Sequence, residues 1–155
     1  MSNEAPYCEV LRAFVAGEAS FQDVEAALTG VASFTYTTGV FSVRTPHGLD
    51  CRIELQPKYL RPMLERYLAF QADEEAVSVW ATVIRLLDCF SNPPALDSLP
   101  DAEADSIRDP LWDLLSDLSS PGVFGRITRP GVEEALEELA QQQKRYDRVL
   151  GLAPT

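Results

Sequence analysis

Apolar residues recur at helical spacing from the start of the chain. Tyr7, Val10, Leu11 and Phe14 predict a first helix over Pro6 to Ala16, and Gly17 stands where a C′ residue would end it. Ser20, followed by Phe21, Gln22 and Asp23, reads as a capping box with a shortened acid. It opens a second helix with Phe21, Val24 and Leu28 as its stripe, stopped by Gly30. The period then moves towards two. Phe34 to Thr38 and Val40 to Arg44 are rich in β-branched and aromatic residues. Cys51 to Leu55 alternates, with Cys51, Ile53 and Leu55 on one face and Arg52 and Glu54 on the other. The turn residues Thr45 to Asp50 lie between the last two segments. The pattern predicts an antiparallel hairpin within residues 34–55, with room for a third strand before Gly39.

Proline placement organises the rest. Pro62 fits the first turn of a helix better than its interior, so the next helix is expected from about Arg61, carrying Met63, Leu64, Tyr67 and Leu68. Asp73 is placed to cap the helix after it, with Glu74 and Glu75 in the favourable first turn. The apolar positions of that helix run from Ala76 through Trp80 and Ile84 to Leu87 and Phe90. They leave only Ser78, Thr82 and Arg85 as a polar stripe, the pattern of a central helix contacted on two sides. Ser91-Asn92-Pro93-Pro94 reads as a bend, residues 91–109 as an acidic loop, and Asp109-Pro110 as the N-cap and first position of a helix. That helix buries Leu111, Leu114, Leu115 and Leu118 and shows Asp113 and Asp117 on its other face. After Pro121-Gly122, Thr128 to Pro130 opens a last helix with acids at its start and bases at its end. The expected fold is a single α+β domain over 1–155, mostly α. About six helices pack round a central apolar helix, beside a small antiparallel hairpin.

Charge narrows the partners. The 155 residues hold 24 acids against 13 bases, a formal net charge of −11. That sign disfavours direct binding to nucleic acid or to anionic lipid. The N-terminus MSNEAPYCEV lacks a basic region and an apolar core, and no apolar run approaches a membrane span, so a cytoplasmic location is expected. Cys8, Cys51 and Cys89 are odd in number and widely spaced, which predicts small buried or half-buried thiols without a disulfide framework or zinc site.

No phosphate-binding, dinucleotide, metalloprotease or nucleophile-elbow motif occurs, and neither catalysis nor a cofactor is expected. The single histidine, His47, lies in a turn and reads as a solvated residue. Asp101, Glu103 and Asp105 alternate like calcium ligands, but no Gly follows and no Glu closes the loop. The acids concentrate between 97 and 117. Asp97, Asp101, Glu103, Asp105, Asp109, Asp113 and Asp117 are opposed there only by Arg108. These residues, with Trp112 at the edge of its helix stripe, are the candidate surface for a basic partner.

Three stretches also resemble a family. Leu11 to Ser20 with its short following helix, Ala72 to Glu75 continuing through Val79 to Ile84, and Leu111 to Leu115 followed by Pro121 to Thr128 and an acidic helix are similar to parts of small bacterial immunity proteins. The type is that of colicin D-like and contact-dependent growth inhibition systems. The resemblance implies a non-catalytic cytoplasmic antidote. It would be a monomer that forms a heterodimer with a cognate, cationic toxin domain and occludes its active site or substrate surface. It transfers no individual contact residue. The alternative is an acidic cytosolic chaperone for a secreted effector, of a kind that dimerises.

Overall fold

The computed structural model describes residues 5–37, 40–46, 48–120 and 126–151. Its order is α1 (Tyr7–Val15), α2 (Phe21–Ala27), β1 (Ser33–Thr37), β2 (Val40–Arg44), β3 (Ile53–Glu54), α3 (Pro57–Leu68), α4 (Glu74–Leu86) and β4 (Phe90–Ser91). A 3-10 turn (Pro94–Ser98), α5 (Asp101–Ser119) and α6 (Arg129–Leu150) complete it. The class is α+β and mostly α. No helix among the described residues is long and apolar enough to cross a membrane.

The caps predicted at Ser20 and Asp73 form, and Thr128 caps the last helix. Ser20 Oγ accepts the Asp23 N–H at 3.2 Å, and the Asp23 carboxylate accepts the Ser20 N–H at 2.9 Å. Asp73 accepts the Ala76 N–H at 2.7 Å, and Thr128 Oγ accepts the Gly131 N–H at 3.2 Å. Gly17 ends α1 at φ +76, where a side chain would also strike Arg66.

The β structure differs from expectation. The hairpin is β1 with β2, Phe34 opposite Val43 and Thr35 opposite Ser42. Phe34 meets the Phe21 ring edge-on, centroids 5.2 Å apart. The Cys51–Leu55 segment leaves the hairpin: β3 pairs in parallel with β4, Ile53 opposite Phe90. A parallel partner requires a long crossover, and α3 and α4 supply it. His47 lies outside the described residues, as does Gly39.

Three helix boundaries are corrected. α3 starts at Pro57, not Arg61, because Pro57 takes the early position that needs no N–H donor. Pro62 therefore stands inside the helix. α4 stops at Leu86, where Leu87 turns extended at ψ 132, so Phe90 belongs to a strand. The expected acidic loop over 91–109 is instead β4, a 3-10 turn and the first half of α5. Asp109 caps nothing. α5 starts behind Pro100, with Asp101 and Glu103 in its first turn, and runs through Pro110. Ala104, Ile107, Leu111, Leu115 and Leu118 form one buried stripe across the proline, and that packing outweighs the lost backbone bond.

α4 is the central element, burying Val77, Trp80, Ala81, Val83 and Ile84. Trp80 is 1% exposed and donates its indole N–H to the Val15 carbonyl at 3.1 Å. α3 lies on α6 through a buried amide hub. The Gln143 side-chain oxygen accepts the Lys58 N–H, and its nitrogen donates to Gln56 and Asp147, each at 2.9 Å. This hub orders the first turn of α3.

Candidate interaction surface

The acids predicted as a loop lie mostly on a rigid helix. Asp101, Asp105, Asp109, Asp113 and Asp117 are spaced every four residues along α5. Each step turns the helix by about 40° beyond a full turn, so the carboxylates form a slowly winding row about 24 Å long. The row faces away from the buried stripe. Four of its members are exposed, and Asp105 is half-buried beside Arg108, which bonds it and lies 3.7 Å from Asp109. Asp97 is exposed on the preceding 3-10 turn, and Glu103 is exposed on another flank of the first turn.

Helix electrostatics separates these acids. Asp101 and Glu103 stabilise the helix N-terminus. Asp117 stands in its last turn, where the backbone dipole disfavours negative charge, and Asp113 one turn earlier; the base at that end is Arg85 of α4, whose guanidinium donates to Ser119 Oγ at 2.6 Å. Neither aspartate forms an ion pair among the described residues. Like charges four apart also repel, at about 0.2–0.5 kcal/mol per pair.

Trp112 is half-buried against the core, and its indole N–H donates to Asn92 Oδ1 at 2.6 Å. Its polar edge is thereby spent inside the molecule.

Pattern reading missed two features. Phe70 is 84% exposed and takes φ +61. It stands at the C′ position of α3: its N–H bonds the Tyr67 carbonyl at 3.2 Å, and the Gln71 N–H bonds the Arg66 carbonyl at 2.8 Å. Gly17 fills that role after α1. A Phe between two predicted helices carries no sequence mark of this conformation.

The second feature is a meeting of the three thiols. Cys8 donates to the Asp50 carbonyl at 3.4 Å, and Cys51 lies beside both Cys8 and Cys89. All are free; Cys8 and Cys89 are buried and Cys51 is half-buried. Burial, with Asp88 adding to it, pushes the Cys89 thiol up to about 12. Burial and then Cys8 raise Cys51 as well. Protonated thiols are poor nucleophiles at neutral pH. Among the described residues, no group of three or more His, Cys, Asp or Glu side chains is arranged to hold a metal ion.

No family model, curated protein or solved structure matches this chain.

Proposed function

We propose that the protein is a non-catalytic, cytoplasmic binding protein. It neutralises a cognate cationic toxin domain by covering that domain's active site or substrate surface. The observation that carries the reading is the aspartate row of α5, above all the exposed Asp113 and Asp117, which no ion pair engages among the described residues. A row of carboxylates on a rigid scaffold can occupy a basic cleft built for phosphates, and it speeds encounter with a basic partner. The family resemblance points the same way.

The test uses the C-terminal domain of any large secreted protein encoded beside this chain. The expected result is a one-to-one complex whose association slows steeply with salt. D113K/D117K should slow association about tenfold or more at low ionic strength. Failure to bind that domain would sink the reading. An obligate dimer of the free protein by light scattering would favour the effector-chaperone alternative instead.

A further inference from the structure

A second site of opposite charge lies along the open edge of β3. The Ile53 and Leu55 N–H groups donate to the Cys89 and Ser91 carbonyls, both at 2.8 Å. In such a parallel ladder the intervening residue turns its N–H and C=O to the other side. Glu54 therefore presents one donor and one acceptor away from β4, and no strand pairs there among the described residues. That side opens on a groove of about 510 Å³ between α1 and α3. Val15, Ala16 and Leu55 give it an apolar lining, and Tyr59, 40% exposed, lines it too. Arg52 and Lys58 also line it, against Glu54 as the one acid, with the Lys58 ammonium 5.6 Å from the centre of the Tyr59 ring. On a chain of net charge −11, this groove is locally cationic.

We propose that this groove binds an extended peptide segment carrying carboxylate side chains, which adds to β3 as a neighbouring strand. The backbone edge decides the class of ligand. A free phosphate would satisfy the cations but offers no strand-spaced donor to the Glu54 carbonyl. An extended peptide supplies a donor and an acceptor to Glu54 and places alternate carboxylates beside Arg52 and Lys58. The site is separate from the aspartate row and does not depend on the function proposed above.

The probe is the peptide Ac-Glu-Val-Glu-Val-Glu-NH2, titrated into the ¹⁵N-labelled full chain. Saturable shifts should centre on the amides of Arg52, Glu54 and Tyr59, with slowed hydrogen exchange at the Glu54 amide. R52E and K58E change exposed side chains, and each should weaken binding about tenfold. The same peptide with methylated backbone nitrogens, or with Lys in place of Glu, should not bind. The proposal is overturned if the methylated peptide binds equally well, if inorganic phosphate produces the same shifts, or if no saturable shift appears. It is also overturned if the free protein is a dimer that R52E or K58E dissociates, which would assign the groove to a second copy.

Discussion

The Arg129 guanidinium lies 4.6 Å from the centre of the Phe70 ring and donates to the Leu68 carbonyl at 2.8 Å, tying the start of α6 to the end of α3. Two opposing energies meet in this pair. A non-glycine residue in the left-handed region costs about 1–2 kcal/mol. An exposed cation–π contact returns about 0.5–1 kcal/mol. F70G should therefore leave the protein equally stable or stabilise it by up to about 1 kcal/mol in urea denaturation. R129A should destabilise it, because the Leu68 carbonyl loses its donor. A loss above about 1 kcal/mol in F70G would show that the ring contributes more packing than its exposure suggests.

Stability and binding should part company at the end of α5. D113N/D117N removes repulsion along the row and, at Asp117, one charge from the unfavourable end of the helix dipole. The expected gain is about 0.5–1 kcal/mol at low salt, shrinking at high ionic strength. Thermal melts at two salt concentrations check this. A destabilised double variant would mean that these carboxylates have a structural task in α5.

Local chemistry was readable where it depends on a few neighbouring residues. Ser20 with Asp23, and Asp73, were recognisable as caps, and each caps in the structure; Thr128 was recognisable as the opening of its helix. Trp80 was recognisable as core from the width of its apolar arc. Proline misled twice for one reason. Asp109-Pro110 and Arg61-Pro62 look like helix starts, but buried stripes on either side carry both helices through. The β3–β4 pairing joins segments separated by two helices, so no local pattern announces it. The same distance hid the meeting of Cys8, Cys51 and Cys89. The acids of the candidate surface were visible as composition. Their arrangement as a row became visible only once residues 101–108 proved helical.

Glu74 should contribute to stability on the acid limb of the pH profile, and Tyr146 on the alkaline limb alongside the raised thiols of Cys51 and Cys89. Arg126, then the Ile127 N–H, hold the Glu74 carboxyl below the usual carboxylate range. Its contribution is present above the unfolded carboxylate value of about 4.3 and is lost as pH falls through the lowered folded value. E74Q should thus flatten the acid limb of a stability–pH profile. Burial pushes Tyr146 up to about 12. The unfolded phenol ionises near pH 10, so stability falls as pH rises from about 10 to 12. The Tyr146 hydroxyl is also buried with no hydrogen-bond partner among the described residues. Y146F should therefore be about 1 kcal/mol more stable at pH 7 and less sensitive to alkali. A destabilised Y146F would reveal a hydrogen bond to that hydroxyl.

The thiol cluster makes the last prediction. With Cys89 raised to about 12 by burial, its thiolate fraction at pH 8 is about 10⁻⁴. Cys51, though half-buried, is raised too, and Cys8 is fully buried. Iodoacetamide at pH 8 should leave the native protein unmodified while a free-cysteine peptide reacts to completion. In guanidinium the same reagent should add three groups. Intact-mass measurement separates the outcomes. One rapid adduct on Cys51 in the native protein would show an activated thiolate there. The cluster would then have to be regarded as a chemical site instead of packing.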